Sequence, residues 1–334
     1  MKPALAGWPY RWFFCALCAG LGATGLIFAA GCGRPAAAVQ APPLRIAMDK
    51  WAGYYPLVLA DALGYLQQEN VRVDLSLPED THHMIADFAA GRHDGIFVSV
   101  SDVILTTRVQ PAIRFVLISD ESAGGDQILS REPLRASGQI RGQRIGTTLG
   151  GFGEIFVRHF LEHHAVQPDE VTIVNADAAA VPALLQQGVI DIGHTWEPYA
   201  GQARAAGWQV WYTSKDTPGL ILDGLVVSNA LIQERPAQLA GLVKAWFRAV
   251  DWWKAHPAEG NDRIEAQLKL PKGSVSLDGI RLYDQAANRE AFAHGAKPGA
   301  VYESAREHVE FFVTRGQLVH RLRPEELLDP RFVE

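Results

Sequence analysis

Short apolar segments alternate with amphipathic segments from residue 44 to about residue 227, and this alternation constrains the fold more than any other feature of the sequence. The run 44–48 is typical of a strand, and the apolar residues of 56–64 that follow have helical spacing. Pro56 suits a first helical turn and Gly64 a helix end. Alternating strands and helices predict an α/β fold with a mostly parallel sheet.

The alternation occurs in two similar units, which are followed by a helical tail. In the first unit we predict strands at 44–48, 71–75, 95–99 and 115–118 and helices at 56–64, 82–90 and 101–109. In the second we predict strands at 145–147, 171–174, 190–192, 208–212 and 224–227 and helices at 152–164 and 179–187. The tail is predicted to contain helices at 236–255, 277–292 and 301–315.

The N-terminus has the pattern of an export signal. Lys2 and Arg11 precede an uncharged stretch, 12–31, that ends in small residues directly before Cys32. The stretch resembles a lipoprotein signal, so we expect 1–31 to be a signal peptide and Cys32 to be lipidated. An uncleaved transmembrane helix is the alternative, since about 20 apolar residues can span a bilayer. Residues 32–43, rich in Ala, Pro and Gly, are predicted to form a flexible tether.

Charge and cysteine content exclude several classes of protein. Removal of 1–31 takes away two bases and no acid, so 31 bases and 37 acids become 29 and 37, a net charge of −8. Such a surface repels nucleic acid. Cysteines occur only at 15, 18 and 32, so the folded part has no disulfide. About 290 residues remain. A single hydrophobic core usually serves fewer residues than this, so two lobes are favoured.

Eight segments, in order, carry a resemblance to a known family. They are Trp51-Ala-Gly-Tyr-Tyr-Pro56, Leu63-Gly-Tyr-Leu66 with Val71-Arg-Val73, Ala90-Gly-Arg-His-Asp94, Ser119-Asp-Glu-Ser-Ala-Gly-Gly-Asp126, Ile140-Arg-Gly-Gln-Arg-Ile-Gly146, Gly188-Val-Ile-Asp191, Trp196-Glu-Pro198 and Thr217-Pro-Gly-Leu-Ile-Leu-Asp223. Together they resemble the nitrate, sulfonate and taurine (thiamine-precursor-like) binding proteins of ABC importers, which are type II periplasmic binding proteins.

The resemblance implies a Venus-flytrap fold, in which a cleft separates two α/β lobes. The first lobe would comprise 44–124 and 225–334, and the second 125–224, with hinge strands near 122–127 and 221–226. The implied partners are a small-molecule ligand and the permease and ATPase subunits of the importer. We therefore expect a monomer in the periplasm or on the outer face of the cell membrane, attached through the lipid on Cys32.

The candidate ligand residues lie at predicted strand ends, since ligands of open α/β sheets bind there. Three strand-to-helix junctions stand out, at 51–56, 99–102 and 149–154, because helix N-termini present free N–H groups. Glycines 150, 151 and 153 would let the backbone approach a ligand. The predicted ligand-binding residues are Trp51, Tyr54, Ser99, Ser101, Ser122, Gly151, Phe152, Trp196, Glu197 and Asp223.

Two acids in this set leave the ligand's charge open. Glu197 and Asp223 could bind a ligand ammonium or could tie the lobes together. Lys50 is the one basic candidate in the predicted loops, so a zwitterion, a monoanion or a neutral heterocycle is favoured over a doubly charged anion. The resemblance favours sulfonates, taurine or nitrate as ligand, and a thiamine pyrimidine precursor or another heterocycle is the alternative.

Catalytic and metal signatures are weak. The chain has no Gly-x-Ser-x-Gly, no HExxH and no cysteine nucleophile after Cys32, so we expect a binding protein without a cofactor rather than an enzyme. An enzyme-like relative that handles thiamine pyrimidine, or a ligand sensor, is the alternative. His159 and His163 lie one helical turn apart and could bind a metal, but a solvated helix surface is the simpler interpretation.

Overall fold

Two separate β-sheets organise the computed structural model, which describes residues 41–78, 80–134, 136–293 and 300–334. The predicted signal peptide 1–31, Cys32 and most of the tether lie outside these residues. The strands are β1 (Leu44–Ala47), β2 (Val73–Ser76), β3 (Gly95–Ser99), β4 (Ile113–Ser122), β5 (Gln127–Ser130), β6 (Arg144–Thr147), β7 (Thr172–Asn175), β8 (Ile192–Thr195), β9 (Gln209–Thr213), β10 (Leu222–Ser228) and β11 (Ile280–Leu282).

The first sheet has six strands in the order β11-β4-β10-β3-β1-β2. Strand β1 runs parallel to β2 and β3, whereas β10 is antiparallel to both β3 and β4. The second sheet has five strands in the order β7-β6-β8-β5-β9, with β6 parallel to its neighbours and β5 antiparallel to its own. The predicted α/β fold is confirmed, but the sheets are mixed rather than mostly parallel.

Helices cover both sheets. They are α1 (Pro56–Ala62), α2 (Tyr65–Gln68), α3 (Thr81–Ala89), α4 (Val100–Thr106), α5 (Phe152–His163), α6 (Val181–Gln186), α7 (Tyr199–Ala205), α8 (Asn229–Glu234), α9 (Pro236–Ala255), α10 (Pro257–Leu268), α11 (Gln285–Phe292) and α12 (Val301–Thr314). Short 3-10 turns lie at Ala52–Tyr54, Ser137–Gln139, Pro168–Glu170, Ser214–Asp216, Pro324–Glu326 and Pro330–Phe332. Within the described residues, no helix has the length and apolarity that a membrane span requires.

The chain passes between the two sheets at two crossover segments. The chain leaves the first sheet at the end of β4, and residues 123–126 lead to β5 in the second sheet. Residues 214–221 then lead from β9 back to β10. The two sheets and their helices form the two lobes of the α/β fold, and both lie within one compact unit, Pro42–Glu334.

Helix α9 anchors the core of the first lobe. Pro236 occupies its first turn, where the missing N–H of proline costs no hydrogen bond. Trp246 and Trp253 are fully buried, and the Trp246 ring stacks on Phe97 of β3 at 4.9 Å. The predicted helix 236–255 is therefore confirmed, and these two tryptophans serve packing.

One stretch of the helical tail was predicted wrongly. The segment 277–292 was expected to be a single helix, but Ile280–Leu282 is strand β11, which pairs with β4. Only the second half is helical, as α11. Helices α2, α7, α8 and α10 and strand β5 were also not predicted from the sequence. Ile280–Leu282 form a strand because these residues lie beside the edge of β4, where they gain backbone hydrogen bonds that an isolated helical turn lacks.

Candidate ligand-binding site

Hydroxyl groups tie the two crossover segments together. Ser122 at the end of β4 forms a hydrogen bond with Ser214, the two Oγ atoms lying 2.8 Å apart, and accepts the N–H of Asp126 at 3.0 Å. Ser214 Oγ also accepts the N–H of Gly124 at 2.7 Å. Ser122 was predicted to contact ligand, but its hydroxyl is engaged in fixing the crossovers.

Two predicted aromatic residues follow β1 and lie beside the first crossover. Trp51 is 7% exposed and donates its Nε1–H to Asp120 Oδ1 at 2.9 Å. A Cβ on Gly125 would come within 2.9 Å of Trp51 Cη2, so the indole lies directly against this crossover. The ring of Tyr54, which is also buried, packs on Phe97 at 5.4 Å.

The junction between β3 and α4 carries the two predicted serines. Ser99 is the N-cap of α4: its Oγ accepts the N–H of Asp102 at 3.1 Å and donates to Asp102 Oδ2 at 2.7 Å. Ser101 is fully buried, and its Oγ has no hydrogen-bond partner. Ser99 therefore caps the helix, whereas the Ser101 hydroxyl makes no hydrogen bond within the part of the chain that the structure describes.

Carboxylates gather at this end of the first sheet, and five of them form what we call the aspartate cluster: Asp49, Asp102, Asp120, Asp126 and Asp223. In the sheet, Asp223 lies opposite Asp120 on one side and opposite Ser99 on the other. Asp120 and Asp223 are both buried. Like charges directly opposite each other on neighbouring strands destabilise a sheet, so this arrangement requires compensation.

Hydrogen bonds satisfy only part of the aspartate cluster. Asp120 accepts from Trp51 and, at 2.8 Å, from the Ser119 hydroxyl. Asp49 Oδ2 accepts from Thr81 Oγ1 at 3.3 Å, whereas Asp49 Oδ1 is buried without a partner.

Basic side chains do not compensate the rest. Among the described residues, no lysine or arginine is among the main groups that act on Asp49, Asp102, Asp120 and Asp223. The one base is His82, which lowers the pKa of Asp102 after the two hydrogen bonds of Ser99.

Burial raises the pKa values of four carboxyls of the cluster, those of Asp49, Asp102, Asp120 and Asp223. Burial, followed by the charge of Asp102, raises the pKa of Asp49 to about 6. Burial raises the pKa of Asp120 to about 7, and that of Asp223 well above its usual value, with Asp120 as the strongest neighbouring charge on Asp223. The pKa of Tyr54 is raised by burial and then by Asp223. The cluster therefore takes up protons when nothing positive is bound.

The second lobe contributes an aromatic group made of Phe152, His194 and Trp196. The Phe152 ring lies 5.7 Å from Trp196, and His194 lies 5.9 Å from each of them. Phe152 and Trp196 are partly exposed. The predicted residues Phe152 and Trp196 are thus brought together at the start of α5 and the end of β8.

His194 connects this aromatic group to the aspartate cluster and was missed by the sequence analysis. It is buried, and its Nε2 lies 2.8 Å from Asp126 Oδ1 while its Nδ1 lies 3.1 Å from Thr147 Oγ1. The charge of Asp126 in turn acts on Asp120 and Asp223. The residues of both lobes are therefore contiguous across the first crossover.

The glycines of the 149–154 junction have different surroundings within the chain. A Cβ on Gly151 would meet no described atom within 4 Å, so no packing within the described chain requires glycine there, and close approach of a ligand stays a prediction. Packing does require Gly153, because a Cβ would lie 2.6 Å from Thr147 Oγ1 and 2.9 Å from His194 Nδ1. Gly150 has φ +78°, a left-handed conformation that glycine adopts without strain.

Glu197 is used within the second lobe. Its carboxylate pairs with Arg204 at 2.7 Å and accepts the N–H of Gly201 at 2.9 Å. Arg204 also donates to Gln127 Oε1 at 2.8 Å. These contacts are structural but stay within the second lobe, so they do not tie the two lobes together. For the Asp223 carboxylate, no ion pair or hydrogen bond is found among the described residues.

A second contact between the lobes joins α5 to α12. Glu154 pairs with Arg315 at 3.2 Å, and His159 Nε2 lies 2.6 Å from Glu307 Oε1. A cavity of about 260 Å³ lies beside this contact, lined by the second crossover and by residues of α5 and α12, but by none of the ten predicted ligand residues. In the described ranges no three potential metal ligands converge, and His159 pairs with Glu307.

Comparisons with known proteins agree with the fold. The family model described as NMT1/THI5 like matches residues 51–260. A Brucella abortus protein named as a putative binding protein is 20% identical over 63% of this chain and 67% of its own length. A 4-amino-5-hydroxymethyl-2-methylpyrimidine phosphate synthase of Candida albicans is 25% identical over 62% of this chain and 65% of its own length.

Among solved structures, the periplasmic aliphatic sulphonate binding protein SsuA of Escherichia coli has the same fold. It superposes with a TM-score of 0.71 at 14% identity, over 87% of this chain and 93% of SsuA. The type II periplasmic-binding-protein fold expected from the sequence is thereby confirmed. The family model matches more than half of the residues of this chain, so the chain belongs to the NMT1/THI5 like family.

Proposed function

We propose that the chain is the extracytoplasmic solute-binding component of an ABC importer, which captures a small organic molecule between its two lobes and delivers it to a permease. A ligand can favour a closed conformation only through contacts that it gains on closure. We expect groups from both lobes to supply them: Trp51, Tyr54 and Asp223 from the first, and Phe152 and Trp196 from the second.

The observation that carries the proposal is a set of buried polar groups without partners. Asp49 Oδ1 and Ser101 Oγ are both buried and unbonded, and Asp223 lies buried beside Asp120. Buried polar groups in proteins nearly always have a hydrogen-bond partner. A ligand seated between the lobes would supply the missing partners, whereas a purely structural role leaves them unexplained.

The proposal extends to location and partners. Lipid attachment at Cys32 would hold the protein at the membrane, in the periplasm or on the outer face, next to a permease and an ATPase. The net negative charge of the chain after residue 31 disfavours binding to nucleic acid. A monomer suffices, since a single chain provides both walls of the cleft.

Several ligand classes fit within this proposal. Sulfonates, taurine and nitrate are expected from the resemblance, and pyrimidine precursors or other heterocycles are supported by the likeness to the Candida synthase. The aspartate cluster favours taurine and the heterocycles, whose nitrogens can carry a positive charge, because carboxylates attract ammonium groups and repel anions.

A thermal-shift screen tests the proposal directly, because a ligand that binds only the native state raises its melting temperature. The purified full-length chain would be screened against sulfonates, taurine, nitrate, amines, pyrimidines and flavins. A saturable rise with one class supports solute binding. Conversion of a bound compound into a new product, followed by mass spectrometry, would contradict it in favour of the enzyme-like alternative.

A further inference from the structure

The charge balance of the cleft is one-sided. Asp49, Asp102, Asp120 and Asp223 act on one another, and Asp126 is held by His194. The groups that face the four are Tyr54 from the turn after β1, His82 from α3 and Asp126 from the first crossover. His82 is the one base among them, and it is exposed. A ligand with positive charge would therefore offset the carboxylates in place of protons.

The helix starts beside the cleft offer little to an anion. An anion binds at a helix N-terminus through free N–H groups. At α4 the first-turn Asp102 occupies this place and the Ser99 hydroxyl takes its N–H at 3.1 Å. At α5 the first-turn Glu154 accepts the N–H of Gly150 at 3.1 Å. Both helices thus carry their own carboxylate where a sulfonate or nitrate would have to sit.

A single metal ion is also a poor match. A divalent metal needs several oxygen or nitrogen ligands that converge on one point at just over 2 Å. No group of three potential ligands meets that geometry anywhere in the described ranges. The carboxylates instead belong to different strands, since Asp49 and Asp102 follow β1 and β3 whereas Asp120 and Asp223 lie within β4 and β10. The positive charge that balances these carboxylates has to be distributed over a similar distance.

We infer that the cleft takes a compact organic cation with at least two N–H-bearing groups, such as an amine joined to a guanidinium or amidinium, which binds Asp49 and Asp223 and places a flat face against Phe152 and Trp196. The inference deepens the proposed function and rests on it. A planar cation gains from aromatic faces as well as from carboxylates. The buried Ser101 Oγ and Tyr54 hydroxyl supply further acceptors.

Isothermal titration of the purified full-length chain with agmatine tests the inference, because agmatine carries an ammonium and a guanidinium. Taurine, ethanesulfonate, nitrate and Ca²⁺ are the comparison probes. Agmatine should bind at least about tenfold more tightly at about pH 8 than at about pH 5.5, with release of protons, because its nitrogens displace protons from Asp49 and Asp223. Asp223→Asn should weaken agmatine by about tenfold or more, and Asp251→Asn on the exposed side of α9 should change nothing.

The other outcomes separate the two claims. Binding of ethanesulfonate or nitrate that Asp223→Asn leaves unchanged or strengthens would overturn the cation assignment while solute binding stands. Stoichiometric Ca²⁺ binding that Asp223→Asn abolishes would replace the organic cation by a metal. Binding of none of these probes, together with a flat thermal-shift screen, would count against both the cation and the proposed function.

Discussion

Asp223 on β10 lies directly opposite Asp120 on β4, and both carboxyls are buried where the first sheet meets the crossover to the second. Two carboxylates so placed cannot both ionise without cost. The pair is stable as it stands only if protons or a cation occupy it. This relationship links the fold to the proposed ligand chemistry, and it has consequences for stability even without a ligand.

The first prediction concerns the stability of the unliganded chain. The pKa values of Asp49 and Asp120 are raised to about 6 and about 7 by burial, so the stability that they contribute is complete below the unfolded pKa of about 4 and is lost as pH rises through these values. The melting temperature of the native chain should fall over this window relative to that of Asp120→Asn. Scanning fluorimetry of both proteins measures the difference, and parallel pH profiles would contradict the assignment.

The second prediction concerns Trp196. Its ring contacts Phe152 and His194 just after β8 in the second lobe. Trp196→Ala should weaken binding of the screened ligand by about tenfold or more, as loss of an aromatic anchor does. Trp252→Ala is the matched control, because Trp252 stacks on His256 at the surface of α9. Equal affinities for both variants and the native chain, by titration, would remove Trp196 from the site.

The third prediction concerns the tight approach at Gly53. A Cβ at this position would come within 2.0 Å of Asp120 Oδ2, so Gly53→Ala must displace the carboxylate that Trp51 holds. We expect a stability loss of about 1–3 kcal/mol, typical of overpacking, and weaker ligand binding. Gly138→Ala is the control, since its Cβ would meet nothing within 4 Å. Urea denaturation that finds the two variants equally stable would be inconsistent with this packing.

The fourth prediction concerns the contact between α5 and α12. The hydrogen bond to Glu307 raises the pKa of His159, so the attraction between the lobes is present below that pKa and is lost as pH rises through it. In Glu307→Gln the pKa of His159 should fall, as followed by NMR titration of its imidazole. Glu310→Gln on the same helix, which pairs with Arg321, should leave it unchanged. An unaltered His159 titration in Glu307→Gln would show that the pair does not form in solution.

The fifth prediction concerns Cys32. If this residue carries lipid, Cys32→Ser should move the protein from the membrane fraction to the supernatant, because acyl chains supply most of the membrane affinity. Fractionation followed by immunoblotting measures the shift. Retention of Cys32→Ser in the membrane would favour the uncleaved apolar helix instead.

Much of the fold was accessible from the sequence because its signals are local. The predicted helices 236–255 and 301–315 match α9 and α12 within a residue. The errors arose where long-range pairing decides. Strand β5 has four residues and is recognisable only beside β8 and β9, and Ile280–Leu282 becomes a strand because β4 offers a free edge.

The candidate site was foreseen in part for the same reason. Trp196 directly follows β8, and Trp51 and Tyr54 lie in the turn after β1, so the order of elements places them at strand ends. Asp120 and His194 were missed, because their importance depends on partners 69 and 68 residues away, Trp51 and Asp126 respectively. No local pattern distinguishes such a residue from an ordinary strand residue.

The distance between the lobes, with and without ligand, tests the central claim most directly. Spin labels can be attached at Val109→Cys and Val189→Cys, exposed positions in the first and second lobes, after Cys15, Cys18 and Cys32 are replaced by serine. Saturation with the compound that raises the melting temperature should change the distance between the two labels in the protein that retains Trp196. At the same concentration, the distance should change much less in the Trp196→Ala variant. An unchanged separation in the presence of bound ligand would contradict capture between the lobes.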